Sequence, residues 1–167
     1  MEKKNLLILG AGQYGQVVRE TAEATGRFVR IAFLDDNNPV AVGKMDAYMS
    51  FRKECDCAFV AIGNPQLRLR WLERLESAGY ELPVLIHPKA YVSPSAILGG
   101  GTVVEPMAVV NTAAVVDKGG LVCAGSVVNH NAHVMSGCQI DCGAVVASNA
   151  VVPEGTKVLS GTVFTKK

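Results

Sequence analysis

Residues 91–162 read YVSPSA ILGGGT VVEPMA VVNTAA VVDKGG LVCAGS VVNHNA HVMSGC QIDCGA VVASNA VVPEGT KVLSGT, which is a run of twelve hexads. The second residue of every hexad is aliphatic, as in Val104, Val122 and Ile140. The sixth residue is always small, and the fifth is Gly or Asn in most hexads. A period of six therefore governs this half of the chain.

This period excludes a helix and an ordinary strand. The apolar face of an α-helix recurs every ~3.6 residues and that of a strand every two, so neither explains the hexads. A parallel β-helix does explain them, because the aliphatic residue points into a narrow core and the small residue fits at a corner. Gly or Asn before the small residue accepts the left-handed backbone of a tight turn. Since three hexads make one triangular coil, the twelve hexads predict four stacked coils.

The composition limits the classes of partner. The 167-residue chain has a formal net charge of +1 and no basic cluster, so binding to nucleic acid or to an anionic membrane has no electrostatic support. Residues 87–167 hold only 5 of the 16 Lys and Arg residues and 4 of the 15 Asp and Glu residues. The outer faces of such a charge-poor solenoid are expected to contact other subunits.

The expected absence of a membrane segment and of a signal peptide predicts the compartment and the redox state of the cysteines. No apolar run approaches the ~18–20 residues of a membrane span and no signal peptide precedes Asn5, so the sequence predicts a cytoplasmic protein without a membrane segment. Its five cysteines are then expected to be free thiols. No pair has the Cys-x2-Cys spacing of a zinc site, so no metal is expected.

Residues 1–86 predict a small α/β domain that precedes the solenoid of residues 87–167. The first strand leads into the G-x-G-x-x-G sequence of residues 10–15, then a helix, a second strand, and Asp35 with Asp36. This order is typical of nucleotide-binding βαβ units. There the glycines let the backbone approach a diphosphate, and the acid accepts a hydrogen bond from ribose or base. A tight turn with an empty pocket is the alternative.

The remainder of this domain extends the pattern. Residues 57–63 predict a third strand, Asn64 and Pro65 cap and open a helix, and residues 81–86 predict a fourth strand. The arginines of that helix are interpreted as part of a solvated face. About four parallel strands are half of a dinucleotide fold, which favours a nucleoside diphosphate over NAD as the ligand.

The solenoid carries one titratable cluster, around His130. This histidine is the fourth residue of its hexad and is predicted to point outward at a corner, with Thr112 one coil below and Ser148 one coil above. Histidine titrates near neutral pH, so one with space beside it suits a general base. A surface histidine without a role is the alternative. His133 is interpreted as a surface or interface residue and His87 as a structural one.

Several motifs together resemble a known family. They are GAG at residues 10–12 with Gly15, the Asp35-Asp36 pair, AIG at residues 61–63, IHP at residues 86–88 and VVNHNA at residues 127–132. The chain resembles the hexapeptide-repeat acyltransferases over nearly its whole length. Within them it is similar to sugar O- and N-acetyltransferases such as bacterial sialic acid O-acetyltransferase and the UDP-amino-sugar N-acetyltransferase of bacillosamine synthesis.

The resemblance implies a fold, an assembly and a reaction. It implies a left-handed β-helix, a homotrimer, and acetyl-CoA as a co-substrate lying between adjacent helices. The N-terminal domain would hold the sugar or nucleotide-sugar acceptor, and His130 would be the general base. A backbone N–H would stabilise the oxyanion, and no covalent acyl-enzyme would be needed. The residues expected to bind the acceptor are Gly10, Gly12, Gln13, Tyr14, Gly15, Asp35, Asp36, Gly63 and Asn64.

Some positions differ from the usual pattern of the family. Asn131 follows the base where an acid is usual, and we expect it to orient the imidazole without stabilising a positive charge on it. Gln139 stands where a histidine that contacts CoA is usual, and Ser148 stands where a glycine is usual. Both are therefore expected at the acetyl-CoA site. Gln13 and Tyr14 replace a histidine of the glycine turn.

The sequence thus predicts an acetyl-CoA-dependent acetyltransferase acting on an amine or hydroxyl of a nucleotide-linked amino sugar or a sialic acid. The main alternative is a non-catalytic trimeric nucleotide-sugar-binding or scaffold protein. Asn131, Gln139 and an end at Lys167, where relatives often continue for another coil, favour that alternative. A third hypothesis, a nicotinamide-dependent oxidoreductase, conflicts with the half-size nucleotide domain.

Overall fold

A computed structural model describes residues 4–166 of the chain. The chain divides into two compact units, Met1–Pro83 and Val84–Lys167. Each unit has its own buried core.

The first unit is a small α/β domain built on a parallel sheet of three strands in the order β2-β1-β3. Residues Leu6 to Leu9 are completely buried, as expected for a strand covered on both faces. The elements in chain order are β1 (Lys4–Leu9), α1 (Gln13–Ala24), β2 (Phe28–Leu34), a 3-10 helix (Met45–Phe51), β3 (Cys57–Val60) and α2 (Pro65–Ser77).

The helix boundaries agree with the signals in the sequence. Gly26 adopts a left-handed φ of 65° directly after α1, which confirms that it ends this helix. The side-chain oxygen of Asn64 accepts a hydrogen bond of 2.8 Å from the Leu67 N–H, so Asn64 is the cap predicted for α2.

The predicted fourth strand of this domain is wrong. Within the described residues, the first sheet gains only an isolated bridge between Cys57 and Glu81 on that side. Strand β4 (Leu85–Ile86) instead pairs with Val103–Val104 of the second unit. The reason lies in the hexad register, because residues 85–90 read LIHPKA, with an aliphatic second residue and a small sixth one. The solenoid therefore begins one hexad earlier than the periodic stretch suggested.

The second unit is a parallel β-helix with two-residue strands on three faces. Each strand pairs in parallel with the strand 18 residues further along, which is one coil of three hexads. Face 1 contains β4, β7 (Val103–Val104), β10 (Leu121–Val122), β13 (Gln139–Ile140) and β16 (Lys157–Val158). Face 2 contains β5 (Tyr91–Val92), β8 (Val109–Val110), β11 (Val127–Val128), β14 (Val145–Val146) and β17 (Val163–Phe164). Face 3 contains β6 (Ile97–Leu98), β9 (Val115–Val116), β12 (His133–Val134) and β15 (Val151–Val152).

The core of the β-helix confirms the roles assigned to the hexad positions. Second-position residues such as Val110, Val128 and Ile140 are completely buried. Sixth-position residues such as Ala114 and Ala144 are buried beside them at the corners. Each coil thus closes its narrow core on its neighbours, as a solenoid requires.

The fifth position of the hexads has a left-handed backbone at eleven corners. Seven of these residues are Gly and two are Asn, which tolerate this conformation. Met107 and Ala113 adopt it with φ of 63° and 54°, although their side chains disfavour it. The stacked coils therefore impose the corner geometry even where the local sequence resists it.

Two further observations concern membranes and metals. In the part of the chain from residue 4 to residue 166, no helix has both the length and the apolar character to cross a membrane. Over the same residues, no group of three or more His, Cys, Asp or Glu side chains is arranged to hold a metal ion. The five cysteines are free thiols, and burial raises the pKa of Cys57 to about 11.

Candidate functional site

The three glycines of the turn after β1 have different roles. A Cβ on Gly10 would lie 2.8 Å from the Ala61 carbonyl oxygen, and one on Gly15 would lie 2.2 Å from the Gly10 carbonyl oxygen. Both glycines are therefore needed for close packing of backbone on backbone. A Cβ on Gly12 would meet no heavy atom within 4 Å. Of these three glycines, only Gly12 exposes bare backbone to open space. It does so at the N-terminus of α1, where no side chain caps the helix.

The turn is held in place through the backbone of Ala11. The Ala11 N–H donates to Asp35 Oδ2 at 2.8 Å, and the Ala11 carbonyl accepts from the Asn38 side-chain amide at 2.7 Å. The other oxygen of Asp35 accepts from the N–H groups of Asn37 and Asn38, both at 2.9 Å. The hydrogen bonds from Ala11 and Asn37 lower the pKa of Asp35, so the carboxylate is ionised and already engaged by the protein.

The neighbouring candidates are more exposed. Asp36 is exposed and accepts a hydrogen bond of 3.1 Å from the Met45 N–H. Gln13 is exposed in the first turn of α1, whereas Tyr14 is half-buried. Asp36 and Gln13 therefore present more of their side chains to solvent than Asp35 does at this edge of the sheet.

The loop after β3 lies against the glycine turn. It brings Ala61 and Ile62 within van der Waals distance of Gly10, and a Cβ on Gly63 would meet no atom within 4 Å. Gly63 and Gly12 thus both offer bare backbone at the carboxyl ends of adjacent strands, β3 and β1. Asn64 follows, with its side-chain oxygen used to cap α2.

The interpretation of the α2 arginines as a solvated face is wrong for Arg68. This side chain is completely buried, and its Nη1 donates to the carbonyls of Ile62 at 2.6 Å and Gly63 at 3.0 Å. The physical reason is helical spacing, because Arg68 shares a face with the buried Leu72 and Leu75, four and seven residues further on.

His130 lies at the corner between faces 2 and 3, and its side chain is exposed. The Asn131 N–H donates to the Thr112 carbonyl, and the Asn149 N–H donates to the His130 carbonyl at 3.2 Å. These bonds confirm that Thr112 lies one coil below His130 and Ser148 one coil above. The lower neighbour of Asn129 is Asn111, as expected, with their side chains 3.4 Å apart.

Asn131 contacts the imidazole directly. Its side-chain nitrogen lies 3.1 Å from His130 Nδ1, and its backbone has a left-handed φ of 55°. An amide carries both a donor and an acceptor, so rotation of this group can match either neutral tautomer of the ring. The corner therefore orients His130 without fixing which nitrogen holds the proton.

The two residues proposed for acetyl-CoA lie in different places. Ser148 stacks one coil above His130 at the same corner, where it is half-buried. Gln139 is on face 1, and its amide lies 3.9 Å from the Cys123 sulfur. Within one chain, the β-helix brings Ser148 to His130 but does not bring Gln139 there.

Two other histidines have protein partners. His133 Nε2 lies 2.8 Å from Asp117 Oδ2 on face 3, and both side chains are partly exposed. His87 Nδ1 accepts from the Lys89 N–H at 3.0 Å, which gives it a structural role in its turn. Neither contact involves His130.

Sequence reasoning missed Asn38, Arg68 and Asp117. The i, i+4, i+7 spacing of Arg68 with two leucines is a signal that could have found it. Asn38 and Asp117 are brought to their partners by long-range contacts, 27 and 16 residues away in sequence, and no local pattern indicates them.

A model of the PglD N-terminal domain matches residues 5–75. Among curated proteins, the UDP-N-acetylbacillosamine N-acetyltransferase of Bacillus subtilis (strain 168) is 36% identical over 110 residues. That alignment covers 60% of this chain and 51% of the relative, so the matched stretch spans about half of the relative's length.

Solved structures match over nearly the full chain. The acetyltransferase domain of PglB from Neisseria gonorrhoeae FA1090, in complex with acetyl coenzyme A, matches with 34% identity and a TM-score of 0.92. The match covers 99% of this chain and 83% of that one. PerB from Caulobacter crescentus, in complex with CoA and GDP-perosamine, has 24% identity and a TM-score of 0.76, covering 96% and 91% of the two chains, and it shares the fold. The fold is therefore the predicted Rossmann-like α/β unit followed by a left-handed parallel β-helix, and the chain belongs to the hexapeptide-repeat sugar acetyltransferase family.

Proposed function

We propose that this protein transfers the acetyl group of acetyl-CoA to the amino group of a nucleotide-linked amino sugar, with His130 as general base. The observation that carries the proposal is an exposed histidine, oriented by Asn131, at a polar corner of a β-helix. The similarity over 99% of the chain to an acetyltransferase domain solved with acetyl coenzyme A supports the donor. The name of the Bacillus relative supports an amine as the acceptor, rather than a hydroxyl.

The chemistry asked of His130 is a single proton transfer. The sugar amine attacks the thioester carbonyl, a C–N bond forms, the C–S bond breaks, and the CoA thiolate leaves. His130 removes the proton that the nitrogen must lose and passes it to the thiolate or to solvent. No side chain of the protein is acylated. This agrees with the burial of four of the five cysteines.

The acceptor's diphosphate would bind in the first unit. Gly12 and Gly63 leave its backbone open, and the N-terminus of α1 favours negative charge. Gln13, Tyr14 and Asp36 stand beside this backbone. Since Asp35 is engaged with Ala11, we assign it to holding the turn in shape, while Gly10 and Gly15 allow the turn to pack.

The assembly that we propose is a homotrimer with acetyl-CoA between adjacent β-helices. Faces 2 and 3 meet at His130, and both present apolar first-position side chains outward. Tyr91 and Val163 on face 2 are 54% and 63% exposed, and Ile97 on face 3 is 64% exposed. Burying them against another copy would be favourable. In such an assembly, Ser148 would line the acetyl-CoA site in the same copy as His130, whereas Gln139 lies on face 1, outside the two faces that we assign to the interface.

A release assay for CoA with a panel of acceptors tests the activity. UDP-linked amino sugars, GDP-linked amino sugars and free amino sugars would be compared, and we expect turnover with a nucleotide-linked amine. Because both co-substrates are cytoplasmic metabolites, we place the reaction in the cytoplasm. Nucleotide-sugar binding without release of CoA from any acyl-CoA would instead support the non-catalytic alternative.

Sedimentation tests the assembly. We expect a trimer at micromolar concentration, and we expect Ile97→Glu and Val163→Glu to weaken it and to reduce activity together. Met49→Glu is the control, since Met49 is 57% exposed in the first unit. A fully active monomer would remove the basis for an active site between subunits.

A further inference from the structure

Among residues 4–166, Arg68 is the largest side chain that is completely buried. It lies on the core face of α2, where Leu72 and Leu75 follow it. Burying a guanidinium is costly in free energy unless hydrogen bonds within the protein compensate for the lost hydration.

Its guanidinium donates two hydrogen bonds to the loop that follows β3. Nη1 donates to the Ile62 carbonyl at 2.6 Å and to the Gly63 carbonyl at 3.0 Å. These two carbonyls are consecutive in the chain, so one guanidinium orients two successive peptide planes.

The orientation of these planes has a direct consequence for their N–H groups. A trans peptide is planar, and its N–H points opposite to its carbonyl. Because the Ile62 and Gly63 carbonyls point toward Arg68, the N–H groups of Gly63 and Asn64 point away from it. Two successive N–H groups on one side of the backbone can both donate hydrogen bonds to one anion.

The loop is exposed at Gly63 and Asn64, the two residues whose N–H groups point away from Arg68. A Cβ on Gly63 would meet no atom within 4 Å, and the same holds for Gly12 in the adjoining glycine turn. The two loops touch each other, because a Cβ on Gly10 would lie 2.8 Å from the Ala61 carbonyl oxygen. The N–H groups that Arg68 orients therefore lie in the loop beside the turn assigned to the diphosphate.

We propose that Arg68 is a positioning residue for the diphosphate of the nucleotide-sugar, acting through the peptide planes of Ile62–Gly63 and Gly63–Asn64. This rests on the proposed function. Arg68 does not touch the ligand. It holds two carbonyls inward so that two N–H donors face outward, and its buried charge favours an anion on the far side of the loop.

The experiment compares variants that differ in charge and in planar hydrogen bonding. UDP is the probe, measured by calorimetry at fixed salt, and acetyl-CoA is titrated separately. Arg68→Met is expected to weaken UDP binding by about tenfold or more, since hydrogen bonds to a charged group are lost. The UDP affinity of Arg68→Lys is expected to lie between those of Arg68→Met and the wild type, because an ammonium keeps the charge but lacks the planar set of donors of a guanidinium. Acetyl-CoA affinity is expected to stay within about twofold in both variants, as neither substitution removes a contact to CoA.

The matched control is Arg70→Met, which removes an exposed arginine from the same helix and is expected to leave UDP affinity unchanged. A folded Arg68→Met protein that binds UDP like the wild type would overturn the inference. If Arg68→Met does not fold, the UDP affinity of Arg68→Lys becomes the test. An Arg68→Lys protein that binds UDP as tightly as the wild type would then overturn the inference. A wild-type protein that binds neither UDP nor GDP would overturn the proposed nucleotide-sugar acceptor itself.

Discussion

The side-chain nitrogen of Asn131 lies 3.1 Å from Nδ1 of His130. A carboxylate at this distance could only accept a hydrogen bond, so it would place the proton on Nδ1 and leave Nε2 as the base. The amide of Asn131 satisfies either tautomer and carries no charge. This protein therefore retains the geometry of an oriented histidine but lacks the electrostatic partner that would make it a stronger base.

Replacing His130 tests the assignment of the base. A positioned histidine contributes roughly 10²–10⁴ in rate, and we expect His130→Ala to lower kcat by about that factor. Its KM for acetyl-CoA should change little, because the imidazole acts mainly in the transition state. The measurement is steady-state CoA release, with His133→Ala as the control histidine. Unchanged turnover in His130→Ala would show that another group is the base.

Replacing Asn131 by Asp tests the missing charge. A carboxylate beside Nδ1 favours the imidazolium and raises the pKa of the ring, so the acidic limb of the kcat/KM profile should move to higher pH. Above that limb, kcat should increase, since the base is stronger and its tautomer is fixed. Asp tolerates the left-handed backbone of this corner. The pH profile is measured with Gly161→Asp as the control, which places a carboxylate at another left-handed corner, between faces 1 and 2. Identical profiles for Asn131→Asp and the wild type would exclude this role for Asn131.

Gly12 and Gly15 should respond differently to substitution. Gly12→Val fills the open space beside the turn, so we expect weaker binding of UDP with a stability change within about 1 kcal/mol. Gly15→Ala places a Cβ 2.2 Å from the Gly10 carbonyl, so it should destabilise the first unit. Calorimetry and thermal unfolding separate the two effects. If Gly12→Val binds UDP normally, the turn is purely structural.

The hexads predicted the β-helix because each position has one physical role that recurs at every coil. The inward aliphatic residue, the small corner residue and the residue with a left-handed backbone could all be identified without long-range information. The left-handed backbone of Met107 and Ala113 could not be predicted, because stacking of the coils imposes a positive φ on residues whose own preference is a negative one. The position of β4 was missed for a related reason, as its hexad lies before the clearly periodic stretch and contains His87-Pro88.

The candidate site was less accessible to sequence reasoning. The glycine turn and His130 were predicted because their spacing is local. The different roles of Gly10, Gly12 and Gly15 could not be predicted, because they depend on which backbone atoms come close in space. The engagement of Asp35 by Ala11 also depends on strand pairing, which brings together residues 24 positions apart.

Asp35 links the shape of the glycine turn to pH. Its carboxylate accepts three backbone N–H groups, from Ala11, Asn37 and Asn38, and the first two of these bonds chiefly lower its pKa below the ordinary value of 3.8. The unfolded chain therefore binds this proton more readily than the folded one. The stabilisation is complete above the ordinary pKa and is lost as the pH falls through the lower, folded pKa.

We therefore expect Asp35→Asn to destabilise the first unit by about 1.5–3 kcal/mol near neutral pH, because one amide cannot accept all three bonds. The difference from the wild type should shrink as the pH is lowered from about 5 toward 3, since the protonated wild-type carboxyl resembles the amide. Denaturant unfolding followed by the fluorescence of Trp71, the single tryptophan, reports on this unit. Asp36→Asn is the matched control, because Asp36 is exposed and accepts only the Met45 N–H among the described contacts. Equal stability and equal pH dependence in Asp35→Asn and the wild type would show that the turn does not depend on this carboxylate.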